Sequence, residues 1–407
     1  MHRFLLFLVY LLLFLSGASA LIYQVVWVRS LSLIFGGTHL AVTTVLSVFM
    51  GGLALGSYWI GKKIDILKRP LQFYGFLELG VALSAVCFIG LMNVYPVIYV
   101  FFAGSAEHSK LYLTVVRVLF AFLALIVPTT LMGGTLPVLT RFISRQYEKS
   151  ATQLSLLYGF NTFGAVAGTA AAAFFLLRFY SVSTAFATAI AINTFVGLVS
   201  IALEKHVAAS LKMTDIGASK AVSEKAISEA ALTRKSNAFF SPYTLVFFGI
   251  GVSGFCALGY EVLWTRILTL TIGTSVYGFS TMLIAFLFGI ALGSESYGVV
   301  SRLFLSKTSE TASLIRGFGA VQCIIGLTAL LVTFYIRDLP ARSIQLSGFF
   351  LDRGFEVFHA RQWANLSLAF SYMVVPSFFM GLAFPVAGRV AMAYEKRIGH
   401  AVRHPGL

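Results

Sequence analysis

One stretch of this sequence occurs twice. SGASALIYQVVWVRSLSLIFGG, residues 16–37, returns as SGFCALGYEVLWTRILTLTIGT, residues 253–274. The two copies align without a gap and share three large side chains, which are Tyr23, Trp27 and Arg29 in the first and Tyr260, Trp264 and Arg266 in the second. The same register continues to Ala-Leu-Gly-Ser at 54–57 and 291–294. Chance similarity among apolar segments repeats scattered Leu and Gly, but not Tyr-x-x-x-Trp-x-Arg, so the chain contains two copies of one unit.

A second segment repeats further along each copy. VPTTLMGGTLPVLTR, residues 127–141, returns as VPSFFMGLAFPVAGR, residues 375–389. The matched prolines include Pro128 and Pro376, and they predict bends in the helices that carry them.

Composition identifies the medium in which these units fold. Of 407 residues, 58% are hydrophobic and 11% are charged, whereas an average soluble domain carries about 25% charged residues. Apolar runs of roughly 20 residues recur, which is the length that a helix needs to cross a bilayer. The sequence therefore predicts an all-α membrane protein.

Apolar runs separated by basic loops predict ten helices, six before a polar segment and four after it. The predicted boundaries are 4–27, 38–60, 71–92, 112–142, 152–177, 180–203, 242–265, 275–299, 312–335 and 365–393. Residues 1–203 form the first repeat and residues 242–407 a shorter second one. Residues 204–241, rich in Ser, Ala, Lys and Glu, form a cytoplasmic linker with a short helix near 221–232. Predicted helices one, two and four correspond to seven, eight and ten.

The net charge of +15 would suit a nucleic-acid ligand, but its distribution indicates another role. Lysines and arginines lie in the loops after predicted helices two, four, six, eight and ten, which is the positive-inside pattern. The charge therefore predicts an inner-membrane protein with a cytoplasmic N-terminus and no nucleic-acid partner. Because both repeats start on the same side, they are expected to lie parallel.

The N-terminal 27 residues also have the pattern of a cleaved secretory signal, with a basic start, an apolar run and Ala18-Ser19-Ala20. The repeat decides against cleavage, because residues 253–266 match the segment around this site in the middle of the chain. We expect the N-terminal stretch to be an uncleaved first transmembrane helix.

Four segments carry a family resemblance, which extends over nearly the whole chain. These are SGASALIYQVVWVRSLSLIFG, FMGGLALGSYWIGKKID, PTTLMGGTLPVLTR and LLYGFNTFGAVAGT. They resemble bacterial membrane proteins in which a major-facilitator-like domain is fused to a C-terminal spermidine-synthase-like domain. The resemblance implies a major-facilitator-like bundle of two parallel repeats, a bacterial inner membrane location and a link to polyamines.

The chain departs from this family in three ways. The family position after the first tyrosine is usually acidic, whereas this chain has Gln24 there and Glu261 in the second copy. The motif at 156–168 has no second copy. No Gly-rich strand-to-helix turn for a nucleoside cofactor follows either. The resemblance therefore supplies no enzymatic activity, and the transferase is expected to be lost through truncation or encoded separately.

Carboxylates in apolar helices are the first candidates for a binding site. Glu78 is costly to bury, so we interpret it as a cation or proton site or as a paired group that locks helices together. Glu261 and Gln24 occupy equivalent positions, which in parallel repeats should face each other across the centre. Beside Tyr23, Trp27, Tyr260 and Trp264, a carboxylate could hold an organic cation. The alternative is that these aromatic residues are interfacial anchors and that Arg266 neutralises Glu261.

The remaining candidates have structural or gating roles. Arg29 and Arg266 are predicted to end their helices and snorkel to the membrane surface, while Arg117 lies deeper and needs a partner or an anionic ligand. Asn161 is predicted to contribute to close helix packing. The cysteines and histidines have neither metal-ligand nor catalytic-triad spacing, so no metal, cofactor or nucleophilic catalysis is predicted.

These observations predict a transporter or binder of a small solute in the lipid bilayer, with polyamines or other organic cations favoured. The alternative is a non-transporting membrane module that associates with a separate soluble aminopropyltransferase.

Overall fold

A computed structural model describes residues 2–103, 110–146, 151–214, 242–272, 276–301 and 311–403. Most of the predicted linker, including its short helix near 221–232, lies outside these residues. The described part forms twelve main helices, which are α1 (His2–Phe35), α2 (Thr38–Lys63), α3 (Pro70–Ala103), α4 (Lys110–Gly133), α5 (Thr135–Gln146), α6 (Ala151–Ala170), α7 (Val182–Thr214), α8 (Pro242–Ile272), α9 (Val276–Val300), α10 (Thr311–Tyr335), α11 (Leu339–Leu351) and α12 (Val357–Arg403). Helix α6 continues through a short π-helical segment, Ala171–Leu176, and a last α-helical turn that ends at Phe179.

Ten segments of the described residues are long and apolar enough to span a membrane. Helices α4 and α5 belong to one such segment, Leu111–Ser144, and α10 and α11 to another, Ala312–Leu351. Six segments precede residues 215–241 and four follow. The predicted all-α membrane protein with a six-plus-four arrangement is therefore confirmed.

Several helices are longer than the sequence predicts. Helix α1 runs to Phe35 and α8 to Ile272, so Arg29 and Arg266 lie inside their helices, about two turns before the ends. The apolar pattern continues past each arginine, and one exposed arginine does not end a helix. Helix α7 continues to Thr214, into the segment predicted as linker.

The sequence repeat is also a repeat of packing. Helix α2 meets α4 so closely that a Cβ on Gly52 would lie 1.9 Å from Thr129 Oγ1. In the second half, α9 meets α12 in the same way, because a Cβ on Gly289 would lie 1.9 Å from Ser377 Oγ. Small residues let membrane helices approach this closely. The pair is then stabilised by van der Waals packing of the two backbones, since no exclusion of water drives helix association within a bilayer. Because six spans separate the starts of α1 and α8, both helices cross in the same direction.

The predicted proline bends do not coincide with a break in either helix. Helix α4 passes through Pro128 and ends at Gly133, and α5 begins at Thr135. Helix α12 is continuous through Pro376 and Pro385. The fourth span is therefore interrupted at Gly134, where a Cβ would meet the Ile60 side chain at 2.1 Å.

The two halves meet along α6 and α9. Ser155 Oγ donates a hydrogen bond to the carbonyl of Ser294, and Ser294 Oγ donates one to the carbonyl of Ser155 at 3.0 Å. Further along, the rings of Phe163 and Phe288 meet edge to face at 6.2 Å. A buried serine pair and an aromatic contact thus join one helix of each half.

Candidate solute-binding site

Both copies of the repeat build the same aromatic pair. Tyr23 and Trp27 stack with ring centroids 5.4 Å apart, and Tyr260 and Trp264 stack at 5.3 Å. The spacing of four residues places each pair on one helix face, one ring above the other. Helix geometry alone therefore produces the pair in each half.

The first pair packs inside its own half. Trp27 lies 5.9 Å from the ring of Phe88 on α3, and Tyr23 lies 6.3 Å from Phe186 on α7. The two rings face α3 and α7 within the first half, and the expectation that they line a central site stays a prediction. Gln24, between them, is buried, and neither of its amide atoms has a hydrogen-bond partner in the described part of the chain.

Glu78 is fully engaged within the first half. Its Oε1 accepts a hydrogen bond from Ser16 Oγ on α1 at 2.5 Å, and its Oε2 accepts one from Asn193 Nδ2 on α7 at 2.9 Å. A buried carboxyl with both oxygens satisfied connects three helices. This is the geometry of the helix-locking alternative, and the contacts of Glu78 are with α1 and α7.

Glu261 has a different environment. Its side chain is 1% exposed, and its Oε1 has no hydrogen-bond partner among the described residues. Tyr158, on α6 of the first half, is close enough to interact electrostatically with the carboxyl. One turn further along α8, Thr265 Oγ1 lies 3.7 Å from the sulfur of Met282 on α9. The carboxyl is therefore buried near α6 of the first half.

The other polar candidates have protein partners or lie at the surface. Arg117 Nη2 donates to Tyr99 Oη at 2.7 Å, and its guanidinium lies 5.2 Å from the centre of that ring. The predicted need for a partner is met by the protein. Arg29 and Arg266 are both exposed. Asn161 lies in tight backbone packing, because a Cβ on Gly17 would be 2.1 Å from its carbonyl oxygen.

Sequence reasoning missed Glu295, which lies on α9 next to the serine pair. Its carboxyl packs against α6, because a Cβ on Gly159 would be 2.2 Å from Oε1. That oxygen is buried and has no hydrogen-bond partner in the residues described. The available signal was the repeat itself: Glu295 aligns with Tyr58, so the second copy carries a carboxylate where the first has a phenol.

The two ends of the bundle differ in how the halves meet. We call the end that carries Lys62, Arg141 and Arg389 the basic end. There, a cavity of about 510 Å³ lies between the halves, with polar lining side chains from α2, α5 and α6 that include Ser57, Thr140, Arg141, Ser144 and Gln153. The cavity lies beside direct contacts between the halves, because Tyr158 stacks on Phe384 with ring centroids 4.6 Å apart and a Cβ on Gly388 would lie 3.0 Å from Leu154 Cδ2.

At the opposite end, the halves are in contact. Phe174 lies 6.1 Å from Tyr277, ring centre to ring centre. Arg178 follows α6, and its guanidinium lies 4.8 Å from the Phe358 ring and 3.4 Å from His359 Nε2. Aromatic and cation–π contacts thus join the halves at this end, whereas the cavity lies at the basic end.

Comparisons with known proteins give only distant similarities. No protein-family model matches the sequence, and no curated protein matches it. Two solved structures are similar, both of a bacterial homologue of the iron transporter ferroportin in the outward-facing state, one of them with soaked iron. Their sequence identities are 13% and 14%, the TM-score is 0.46 for each, and each alignment covers 98% of this chain and 92% of that chain.

A candidate binding site must therefore be identified from the residues of this chain alone. Within the described part of the chain, no group of three or more His, Cys, Asp or Glu side chains is arranged to hold a metal ion. Glu261 is the best candidate for a binding residue, because its Oε1 is buried without a hydrogen-bond partner among the described residues and aromatic side chains, including Tyr158, lie near it.

Proposed function

We propose that this chain is a small-solute transporter of major-facilitator-like architecture whose binding site is built around Glu261 and takes an organic cation. Polyamines are the favoured class. The observation that carries the proposal is the buried Oε1 of Glu261, which has no partner in the part of the chain that the structure describes.

Burial leaves this carboxyl with an unbonded acceptor that a cationic ligand would stabilise. Burying an ionised carboxylate inside a membrane costs free energy unless a cation or hydrogen-bond donors compensate its charge. Leaving a buried acceptor without a hydrogen-bond partner costs about 1–3 kcal/mol of stability. An ammonium group supplies both the charge and the donors. The neighbouring Tyr260 and Trp264 rings add attraction for a cation through their faces. The proposed site therefore suits primary or secondary amines better than anions or neutral sugars.

The contacts between the halves support a transport cycle. The cavity at the basic end and the closed contacts at the other end are what one state of an alternating-access cycle requires. Under the positive-inside rule the basic end is cytoplasmic, so this state opens to the cytoplasm. The Ser155–Ser294 pair would lie near the pivot, and Arg178 would leave His359 and Phe358 when the halves rock.

Uptake of labelled spermidine into proteoliposomes tests the proposal. Wild-type protein is expected to accumulate spermidine under an inside-negative potential, and Glu261→Gln is expected to reduce the rate at least tenfold. Glu356→Gln, the same change at an exposed position, serves as the matched control and should keep wild-type uptake. If wild-type protein moves no polyamine at any pH or potential, the proposal fails for this class of solute.

A further inference from the structure

A second cavity at the basic end is lined by residues of the first half alone. It has a volume of about 660 Å³ and lies where α2 ends, a short 3-10 helix follows at Ile64–Ile66 and α3 begins. Its lining residues include Tyr58, Trp59, Lys62, Lys63, Leu67 and Phe73. This cavity is therefore separate from the proposed solute site around Glu261.

The cavity lies at the level where the surface of the membrane is expected. The α2 span ends at Lys63 and the α3 span begins at Pro70, so the residues between them connect the two spans at the edge of the apolar layer. Lipid headgroups occupy this level of a bilayer, and Trp and Tyr side chains are enriched there. Tyr58 and Trp59 are 56% and 57% exposed, which leaves both rings available to a lipid molecule.

The charged groups on the cavity wall are positive. Lys62 and Lys63 are both exposed, and neither forms an ion pair with an acidic side chain in the described part of the chain. Lys62 Nζ donates a hydrogen bond to Tyr58 Oη and lies 4.0 Å from the centre of that ring. Because an ammonium group has three donors, Lys62 keeps donors for a ligand while Tyr58 orients it. The cavity therefore suits an anion.

The second repeat does not have this combination of residues. Tyr58, Trp59, Lys62 and Lys63 align with Glu295, Ser296, Val299 and Val300. The positive-inside pattern requires basic residues in a loop, but it requires neither an aromatic pair nor a cavity beside them. The arrangement belongs to the first copy alone, so the packing that both copies share does not account for it.

We propose that this cavity binds the headgroup of an anionic phospholipid, with Lys62 and Lys63 on the phosphate and the acyl chains beside Trp59. Basic pockets at the ends of transmembrane helices recognise acidic headgroups in this way. A soluble phosphate compound has the same anionic group, but it has no acyl chains to contact the exposed rings. This inference goes beyond the proposed transport function and does not depend on it, because it concerns the lipid around the protein.

Native mass spectrometry of the 407-residue chain tests the proposal. The protein is released from micelles that contain equal amounts of phosphatidylglycerol, which is anionic, and phosphatidylcholine, which is zwitterionic. Wild-type protein is expected to retain phosphatidylglycerol with about a tenfold preference, because two lysines attract the anionic headgroup. Millimolar sodium phosphate or glycerol 3-phosphate should not displace the bound lipid.

Two double variants make the test specific. Lys62→Gln with Lys63→Gln should reduce the preference for phosphatidylglycerol to about twofold or less. Lys205→Gln with Arg316→Gln removes the same charge from exposed positions on α7 and α10, and should keep the wild-type preference. Equal retention of the two lipids by wild-type protein, or the same preference in the two double variants, would overturn the proposal. Displacement of the lipid by sodium phosphate or glycerol 3-phosphate would assign the cavity to a soluble anion, and would also overturn it.

Discussion

Helices α1 and α8 have nearly the same sequence pattern and local geometry, but very different surroundings. Their Tyr-Trp pairs stack at 5.4 and 5.3 Å. Buried residues make up 56% of the most apolar part of the α1 span, but only 11% of that of α8. The difference arises from the neighbours, since α1 is enclosed by α2, α6 and α7. A repeated sequence therefore reproduces local packing, while burial depends on which other helices are present.

The same contrast separates the two intramembrane glutamates. Glu78 lies in the enclosed half, where Ser16 and Asn193 satisfy both oxygens. Glu261 lies in the half with fewer neighbours and keeps one oxygen without a partner among the described residues. The enclosed half therefore has a carboxyl whose two oxygens are both bonded across helices, and the more open half has one carboxyl oxygen available for the proposed solute.

The largest effect is expected from leucine at the two equivalent glycines. Gly17→Leu would force a side chain into the carbonyl of Asn161 and should cost about 3 kcal/mol of stability. Gly254→Leu has empty space and should change stability by less than about 0.5 kcal/mol. Equilibrium unfolding in mixed detergent micelles measures both. A similar loss in the two variants would refute the difference in coverage.

The contacts that are the same in both halves should respond equally. A Cβ on Gly56 would lie 1.8 Å from the carbonyl of Thr130, and one on Gly293 would lie 1.8 Å from that of Phe378. We expect Gly56→Ala and Gly293→Ala to destabilise the protein by about 2 kcal/mol each, measured by the same unfolding assay. Costs that differ by more than a factor of two would argue that the two helix pairs are not packed alike.

Replacing each intramembrane glutamate by leucine separates their roles. Glu78→Leu leaves Ser16 Oγ and Asn193 Nδ2 buried without their acceptor, so it should cost about 2 kcal/mol. Glu261→Leu removes a buried oxygen that has no partner in the described residues, so stability should be unchanged or slightly higher. Unfolding in detergent is the measurement. Strong destabilisation by Glu261→Leu would indicate that this carboxyl is structural.

The smallest expected effect is at the joint between the halves. Ser155→Ala and Ser294→Ala each remove one of two reciprocal hydrogen bonds, and a double-mutant cycle should give a coupling energy of about 0.5–1 kcal/mol. Ser57 is the repeat equivalent of Ser294 and is exposed, so Ser57→Ala should leave the free energy of unfolding unchanged. Zero coupling between Ser155 and Ser294 would contradict the role of this pair in joining the halves.

Much of the fold could be predicted because it depends on local sequence. The length of apolar runs indicated ten spans, and the repeat indicated that α2 on α4 and α9 on α12 would pack alike. Helix ends were harder to predict, because an arginine followed by a short apolar run fits a helix that ends at Arg29 as well as one that continues to Phe35, as α1 does.

The candidate site was harder to predict because the direction of a buried side chain depends on distant neighbours. Tyr23 and Trp27 are both buried, and they face Phe186 and Phe88, residues that are far away in sequence. The sequence showed that Glu78 is costly to bury in an apolar helix, but it could not show the hydrogen-bond partners, which come from α1 and α7. Glu295 could not be predicted from the match between the repeats, because its repeat partner, Tyr58, is a different residue type.

Footprinting of the unmodified chain with a bilayer-soluble diazirine reagent tests the central comparison most directly. In lipid nanodiscs, carbene insertion is measured by mass spectrometry around Phe255 and Leu263 on α8 and around Ala18 and Val26 on α1. The structure predicts at least tenfold more labelling at the α8 positions. Equal labelling of the two helices, or more at the α1 positions, would contradict the conclusion that two copies of one unit differ in their coverage.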